Sequence, residues 1–316
     1  MTRGVTVAVV GAPDIAKELG KRGTSSDITL FNTVHDEAAI TVVEPTQFPE
    51  KFPPLLNSLA MADHCLLVVP ELSRPVAETI ATVELADVPT TVVLGPSVGD
   101  AEVARAFKGG RLVSAQRVPL DLPKLRDLVD GLTAAPNEGP VRVPLDHAYP
   151  VKGVGAVALG VVRRGTLRAH DRLRLYPTAK TVEVRSIQVH DVDRPEANVG
   201  ERVGVALKGV EVDEISRGQI LAPDGSLTSG TTLSLSPLER CRYYRGDAGP
   251  GAQLHLSLGL QVAPTVLDTL DPSGTRVTTD RPVVFGVDEV GYLLDVSVPA
   301  GPRIFGRALA KSVVPA

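Results

Sequence analysis

Residues 143–167 read Val-Pro-Leu-Asp-His-Ala-Tyr-Pro-Val-Lys-Gly-Val-Gly-Ala-Val-Ala-Leu-Gly-Val-Val-Arg-Arg-Gly-Thr-Leu. Gly153, Gly155 and Gly160 fall where the strands of a small barrel bend or turn tightly. Short strands separated by Gly, Pro and Asp turns are predicted around them, at Val141–Pro144, Ala156–Arg163, Arg172–Tyr176, Thr181–His190 and Glu201–Lys208. This pattern is typical of an all-β barrel or sandwich.

Two Pro- and Gly-containing linkers, Ala135–Pro140 and Ala222–Gly225, bound this region. Before the first linker, apolar strands alternate with helical stretches, which indicates a mostly parallel sheet with helices on both faces. The predicted strands are Val5–Val10, Ala39–Val43, Cys65–Val69, Thr91–Leu94 and Arg111–Ser114. The predicted helices are Pro54–Ala62, Pro75–Leu85, Ala101–Phe107 and Leu122–Leu132.

After the second linker, short strands are again predicted, at Thr231–Pro237, Gln253–Leu260, Pro282–Val287 and Tyr292–Val298. We therefore predict a multidomain fold: a doubly wound α/β domain over residues 1–138, a β-barrel over 139–224 and a second β-barrel over 225–316.

Composition favours a soluble globular protein, with 43% hydrophobic and 22% charged residues in a chain of 316. Cys65 and Cys241 are too few and too far apart for a disulfide framework, so a reducing cytoplasm is expected. The sequence has no signal peptide and no apolar run of membrane-spanning length, so we predict a cytoplasmic protein without a membrane partner.

Charge is unevenly distributed along the chain. The net charge is −4 overall, which argues against general coating of nucleic acid and against DNA as a partner, but residues 141–222 carry 13 Lys and Arg against 10 Asp and Glu. An RNA-facing stripe is one explanation, since phosphates attract guanidinium groups; an ordinary solubilising surface is equally consistent. The arginines concerned are Arg163, Arg164, Arg168, Arg172, Arg174 and Arg185.

Residues 11–18, Gly-Ala-Pro-Asp-Ile-Ala-Lys-Glu, have the spacing of a phosphate-binding P-loop between a strand and a helix. Gly11 and Lys17 stand at the expected positions. Ala16 replaces the second glycine, and Glu18 replaces the Ser or Thr that holds Mg²⁺. Because Glu18 would place a carboxylate beside the phosphates, the octet keeps the frame of a nucleotide site without its chemistry. The octet alone is equally consistent with an ordinary strand-to-helix turn.

The middle region resembles domain II of translational GTPases. Residues 143–167 look like the opening of that domain, and the similarity is to elongation factors Tu and 1-alpha and most closely to selenocysteine-specific elongation factors and their archaeal relatives. The match to domain II continues in order through Ile187–His190, Ala197–Gly204, Leu207–Glu211 and Glu214–Leu221. A weaker similarity at Gly251–Gly259 and Pro302–Leu309 extends to domain III of the same factors.

The resemblance implies that the first segment is a P-loop GTPase-like G domain in degenerate form. Lys21–Ile28 is similar to switch I, with Ser25 in place of the Mg²⁺-binding Thr. Ile40–Phe52 resembles switch II, but its Asp-x-x-Gly has become Glu44-Pro45-Thr46-Gln47 and the following His is absent. That His helps to place the attacking water in relatives, so its absence removes a requirement for phosphoryl transfer.

The guanine-reading motifs are reduced in the same way. Gly95-Pro96-Ser97-Val98 stands where Asn-Lys-x-Asp is expected, and only Ser114-Ala115 resembles the last guanine motif. The resemblance thus implies a degenerate nucleotide site without catalytic residues. Its members are Gly11, Asp14, Lys17, Glu18, Ser25, Glu44, Ser114 and Ala115.

The predicted function is that of a translation-associated pseudo-GTPase that binds the ribosome, a tRNA or another translation factor. No cofactor is expected, and GTP with Mg²⁺ would bind only if the degenerate site were still competent. No metal site is predicted, because the histidines lack paired spacing with Cys or carboxylates. Two alternatives remain open: a divergent, functional GTP-binding elongation factor in which Lys17, Glu18 and Ser25 hold Mg·GTP, and a non-translational protein–protein scaffold.

Overall fold

A computed structural model describes residues 3–35, 38–86, 88–287, 289–298 and 301–314. The chain passes from a first compact unit to a second between Ala135 and Pro136. The first unit is an α/β domain. Its elements are β1 Arg3–Val10, β2 Lys21–Ser25, β3 Thr29–His35, β4 Ala38–Glu44, α1 Pro53–Met61, β5 His64–Val69, α2 Arg74–Ala86, β6 Thr90–Leu94, α3 Asp100–Phe107, β7 Gln116–Pro119 and α4 Leu122–Gly131.

These seven strands form one sheet in the order β2-β3-β4-β1-β5-β6-β7. Neighbours from β4 to β7 are parallel, whereas β2 and β3 run antiparallel to their partners. Val7 and Ala8 of β1 point to opposite faces and are both fully buried, as expected of a central parallel strand covered on each side. On one face, Val7 belongs to an apolar cluster that includes Leu125 and Val129 of α4.

Four of the five predicted strands and all four predicted helices of this domain are confirmed, with element ends displaced by one or two residues, whereas β2 and β3 were not predicted. The predicted strand Arg111–Ser114 is wrong, because these residues form a 3₁₀ turn and the edge strand β7 begins only at Gln116. The carboxylate of Glu84 causes the difference. It accepts hydrogen bonds from the backbone N–H groups of Arg111 (2.6 Å) and Leu112 (3.3 Å), which fixes the start of the turn.

The second unit contains two β-barrels. Six strands of the first barrel close in the order β11-β16-β8-β9-β15-β12, because β12 also pairs with β11. Its strands are β8 Val143–Val151, β9 Gly155–Val161, β10 Leu167–Arg168, β11 Arg172–Tyr176, β12 Thr181–Val189, β13 Val192–Arg194, β14 Glu196–Ala197, β15 Arg202–Lys208 and β16 Ile220–Ala222.

Gly160 shows why the 143–167 stretch specifies this barrel. A Cβ at Gly160 would lie 2.4 Å from the carbonyl oxygen of Pro144, so the close approach of β8 and β9 requires glycine. The five strands predicted for this region are confirmed, although β8 extends to Val151, well beyond the predicted end at Pro144.

The second barrel closes in the order β17-β21-β20-β19-β22-β23, because β17 also pairs with β23. Two of these strands, β20 and β23, were not among the predicted strands, and β21 begins at Gly274 rather than at Pro282. Apolar residues alternate with Thr, Arg and Asp along β20 and β21, so continuous apolar runs do not mark them. The strands are β17 Thr228–Leu235, β18 Glu239–Arg240, β19 Gln253–Leu258, β20 Gln261–Asp271, β21 Gly274–Phe285, β22 Val290–Leu294 and β23 Ile304–Val313.

The two barrels contact each other within the second unit. The Arg142 guanidinium donates a 2.8 Å hydrogen bond to the Glu289 carboxylate, and Tyr176, Ile220 and Val284 belong to one buried apolar cluster. Across the described residues, no helix combines the length and the apolar character needed to cross a membrane.

Candidate functional site

A cavity of about 310 Å³ opens at the carboxyl ends of the central strands β4, β1 and β5. Open α/β sheets bind ligands at this edge, outside the carboxyl ends of their strands. The apolar and proline residues that line the cavity are Val9, Val10, Ala12, Pro13, Pro45, Phe48, Pro49, Pro70, Pro75 and Val76. Its other lining residues are Gly11, Glu44, Thr46, Glu71 and Ser73.

Gly11 occupies its position for a structural reason. Its φ is +95°, and a Cβ there would lie 2.2 Å from the carbonyl oxygen of Val68 in β5. Both the backbone angle and the close approach exclude other residues. The first glycine of the P-loop pattern is therefore required by the packing of β1 against β5, whether or not a phosphate binds.

The loop after Gly11 does not lead into the helix that the P-loop pattern predicts. Only a 3₁₀ turn, Ala16–Glu18, follows, and the chain enters β2 at Lys21. Asp14 has a φ of 70°, and its backbone N–H donates a 3.0 Å hydrogen bond to Oε1 of Glu44. The Glu44 carboxylate at the end of β4 thus holds this loop in place.

Lys17 does not line the cavity. Its Nζ donates a 2.9 Å hydrogen bond to Oδ1 of Asp14, and this bond raises the pKa of Lys17. Lys17 instead borders a second surface pocket together with Glu18 and Arg126, and Arg126 donates to the carbonyl oxygen of Glu18 at 2.9 Å. The lysine and the glutamate at the end of the P-loop pattern therefore lie outside the Gly11 cavity.

The charged groups of the cavity are both acidic. Glu44 is half-buried, and burial raises the pKa of its carboxyl while the Asp14 N–H partly offsets that rise. Glu71 is exposed and forms no hydrogen bond or ion pair within the described chain. Among the described lining residues, none is Lys, Arg or His.

Ser25 contacts this edge of the sheet only through other hydroxyls. Its Oγ lies 3.0 Å from Oγ1 of Thr29, which lies 2.6 Å from Oγ1 of Thr46 on the cavity wall. Arg22 also donates to Ser25 at 2.8 Å. Of these residues, only Thr46 lines the cavity, so the hydroxyl that would replace the Mg²⁺-binding Thr is already engaged in side-chain hydrogen bonds.

Comparison with known proteins gives matches in sequence and in structure. The elongation factor Tu domain 2 family model matches residues 155–222. The selenocysteine-specific elongation factor of Methanocaldococcus jannaschii is 26% identical over 285 residues, covering 83% of this chain and 61% of that protein. The chain belongs to the translational GTPase superfamily.

Two further matches extend over nearly the whole chain. The uncharacterized protein MJ0325 of Methanocaldococcus jannaschii is 32% identical over 306 residues, covering 96% of this chain and 98% of that protein. The crystal structure of translation elongation factor SelB from Methanococcus maripaludis in complex with the GTP analogue GppNHp aligns with a TM-score of 0.84 and 20% identity, covering 99% of this chain and 80% of that chain. The predicted order of a G-like α/β domain and two elongation-factor barrels is confirmed.

The first domain brings together only some of the residues of the predicted nucleotide site. Gly11 and Glu44 line the cavity, and a chain of hydrogen bonds connects Glu44 to Asp14 and Asp14 to Lys17. Ser114 and Ala115 do not line it, because they complete the 3₁₀ turn that Glu84 holds; the Ala115 N–H donates to Leu112. The hydroxyl of Ser114 donates a hydrogen bond to the carbonyl oxygen of Arg111, within the same turn.

Glu71 was not predicted as a site residue. It follows the predicted strand Cys65–Val69 after a single proline, and the rule that ligands bind beyond the carboxyl ends of strands would have identified it. Among the described residues, no group of three or more His, Cys, Asp or Glu side chains is placed to hold a metal ion.

The arginines of the first barrel do not form a uniform stripe. Arg164 donates to the carbonyl oxygen of Glu138 at 2.8 Å, and Arg174 donates to Asp224 at 2.8 Å while it stacks over the Tyr176 ring. Three others have different surroundings: Arg168 pairs with Glu196 at 3.4 Å, Arg185 donates to the Val154 carbonyl at 3.2 Å, and Arg163 is partly buried. The side chain of Arg172 is exposed and has no hydrogen-bond or ion-pair partner within the described chain.

A buried ion pair in the first barrel was also missed by sequence reasoning. Arg202 donates two hydrogen bonds to the carboxylate of Asp146, at 2.7 and 2.9 Å, and Nδ1 of His147 lies 2.6 Å from the same carboxylate. Burial alone would raise the pKa of Asp146, but Arg202 and His147 together lower it. No spacing rule links positions 56 residues apart, so only the barrel topology brings Asp146 and Arg202 together.

Proposed function

We propose that this protein is an elongation-factor-like component of translation whose first domain neither binds nor hydrolyses GTP at ordinary nucleotide concentrations. The translational role is supported by the relatives, which include a selenocysteine-specific elongation factor and several elongation factors 1-alpha. The pseudo-GTPase assignment is supported by the cavity at the carboxyl ends of β4, β1 and β5, where the charged lining groups are Glu44 and Glu71.

The sign of the charge in this cavity is the observation that carries the proposal. A nucleotide polyphosphate is anionic, and two like charges about 4 Å apart repel by roughly 4 kcal/mol at an effective dielectric near 20. In a P-loop, a lysine reaches the phosphates and offsets such repulsion. Here Lys17 is bonded to Asp14 and lies outside the described cavity lining.

The backbone of the cavity is also poorly suited to a polyphosphate. P-loops bind phosphate through inward-pointing N–H groups, and proline has no such donor. Five of the residues that line the cavity are prolines, and the N–H of Asp14 is already donated to Glu44. The residues present do not fit GTP with Mg²⁺, so we derive no phosphoryl-transfer step for this domain.

Calorimetric titration of the full chain with GTP, GDP and a non-hydrolysable analogue, each with Mg²⁺, tests the proposal. We expect no saturable binding at concentrations where functional relatives are saturated. Lys17→Ala should leave the titrations unchanged. Tight, Mg²⁺-dependent binding that Lys17→Ala abolishes would instead support a divergent but functional GTPase.

For the partner, we propose the ribosome, a tRNA or another translation factor, contacted through the first barrel. The support is the net charge of +3 over residues 141–222 in a chain whose overall charge is −4. Exposed Arg172 is the side chain on this barrel that is best placed to contact a phosphate, because its guanidinium is not engaged elsewhere in the described chain.

A further inference from the structure

We propose that the cavity at the carboxyl ends of β4, β1 and β5 binds a small organic cation, an ammonium or guanidinium group on a short aliphatic stem. This inference rests on the proposed absence of nucleotide from the same site. The volume of about 310 Å³ lies at the lower end of the range of roughly 300–1,000 Å³ found for small-molecule pockets. The size therefore suits a small ligand or a single side chain of a partner.

The polar groups of the cavity favour a cation. Oε1 of Glu44 accepts the Asp14 N–H at 3.0 Å, and Oε2 accepts no hydrogen bond within the described chain. Glu71 follows the end of β5, which lies on the other side of β1 from β4, and both of its carboxylate oxygens are free of partners among the described residues. Charge-assisted hydrogen bonds from an ammonium or guanidinium to such oxygens are stronger than neutral ones.

The walls favour an aliphatic stem next to that charge. Pro45, Pro49 and Pro70 present methylene surface and no N–H donor, and Val76 adds an apolar side chain. The walls therefore place apolar surface beside the Glu44 and Glu71 carboxylates. Phe48 also lines it, and an aromatic ring provides a further favourable surface for a cation.

Partial burial of Glu44 strengthens the argument from geometry. A carboxylate that has lost part of its water gains more from an incoming cation than a fully solvated one, because the effective dielectric is lower. The raised pKa of Glu44 has the same cause, since burial disfavours its charged form in the absence of a cation.

The test is a nuclear magnetic resonance titration of the full chain with butylammonium and with ethylguanidinium, using 1-butanol as the neutral isostere. We expect saturable shifts of resonances of Gly11, Thr46 and Val76 at about millimolar ligand, the affinity accessible to a ligand of so few atoms. The neutral alcohol should produce no saturable shift. A short peptide with a single arginine separates the two sources: tighter binding than the free cations indicates a partner's side chain, and equal or weaker binding indicates a free metabolite.

Three variants sharpen the test. Glu71→Gln removes an exposed charge and should weaken binding about tenfold, the effect of one charge-assisted hydrogen bond. Glu71→Lys should abolish it, and both changes at this exposed position should leave the fold intact. Asp127→Asn is the matched control, because it removes an exposed carboxylate on α4 away from the cavity and should leave binding unchanged.

The outcomes distinguish this inference from the proposed function. Binding of the cations together with no binding of GTP supports both. No binding of either overturns the cation site and leaves the pseudo-GTPase proposal standing, whereas binding of GTP overturns both. Equal loss of cation binding in Glu71→Gln and Asp127→Asn would show a general charge effect and would also overturn the site.

Discussion

The first domain and the first barrel belong to one superfamily, but they match its sequences to different degrees. The family model covers residues 155–222, inside the barrel, whereas the P-loop pattern of the first domain lacks its second glycine and its hydroxyl residue. Each region contains one motif glycine that the backbone itself requires. Gly160 permits the approach of β9 to β8, and Gly11 permits the approach of β1 to β5.

This comparison separates two kinds of motif residue. A glycine that avoids a backbone clash is needed with or without a ligand, so its presence does not show that a ligand binds. A residue that only a phosphate or Mg²⁺ requires has no structural role once the ligand is absent, and positions 16 and 18 hold Ala and Glu instead. The following predictions test how far each region depends on its structural residues.

The largest effect on the free energy of unfolding is expected from a substitution in the first barrel. Arg202→Met removes the guanidinium that donates two hydrogen bonds to the buried Asp146 carboxylate and leaves only His147 beside it, and loss of one member of a buried pair typically costs about 3–5 kcal/mol of unfolding free energy. Replacing both residues, as Asp146→Leu with Arg202→Met, should recover most of the loss. Urea denaturation measures both, with exposed Arg276→Met as the control. A loss below about 1 kcal/mol for Arg202→Met would contradict this assignment.

The next effect concerns the glycine of the P-loop pattern. Gly11→Ala introduces a Cβ 2.2 Å from the Val68 carbonyl oxygen at a φ of +95°, and we expect a loss of at least about 2 kcal/mol in unfolding free energy. Gly153→Ala is the matched control, because it also has a positive φ but no atom within 4 Å of the new Cβ; a loss of about 1 kcal/mol is expected there. Equal losses in the two variants would mean that the contact with β5 does not determine the residue at position 11.

A smaller effect on the free energy of unfolding is expected from a change in pH. Burial lowers the pKa of His64 in the first domain and of His190 in the first barrel. Because each folded-state pKa lies below the unfolded value near 6.5, the unfolded chain binds protons first. Stability should therefore be highest above about pH 6.5 and should fall as the pH drops towards each folded pKa.

Urea denaturation at about pH 7.5 and pH 5.5 measures this dependence. His64→Gln should flatten it for the first domain and His190→Gln for the barrel. A dependence unchanged in both variants would assign it to other groups. The lowered pKa of Asp146 contributes in a separate, more acidic window, since a carboxylate with a depressed folded pKa loses its contribution only as the pH falls through its own titration range.

The sequence predicted the fold well because the decisive signals are local. Apolar runs marked β1, β5 and β6, and the glycines of residues 143–167 marked the turns of a barrel. One strand prediction failed because a distant group decides the local structure. Arg111–Ser114 is apolar enough for a strand, but Glu84, 27 residues away, holds it as a turn.

The candidate site was harder to predict than the fold, because pattern spacing does not show where a side chain points. Lys17 stands at the correct P-loop position, yet without the expected helix its ammonium is directed to Asp14. Glu71 has no motif, yet it lies on the cavity because it follows the carboxyl end of β5. Whether these residues act on a ligand stays a prediction, which the titrations above test.

The smallest expected effect concerns the proposed translational partner. If Arg172 contacts a phosphate of ribosomal RNA or tRNA, Arg172→Glu should weaken association by a few-fold and reduce the dependence of log affinity on log salt by about one, because one fewer counterion is released. Arg276→Glu, the same charge reversal at an exposed position of the second barrel, is the control and should change neither quantity. Co-sedimentation with ribosomes and filter binding of tRNA across a range of salt concentrations measure both.

Arg164→Glu is a poorer test, since Arg164 donates a hydrogen bond to the Glu138 carbonyl and its loss would also disturb the linker. Equal weakening by Arg172→Glu and Arg276→Glu would show a diffuse electrostatic effect, and no association with either RNA at low salt would favour a scaffold that acts outside translation.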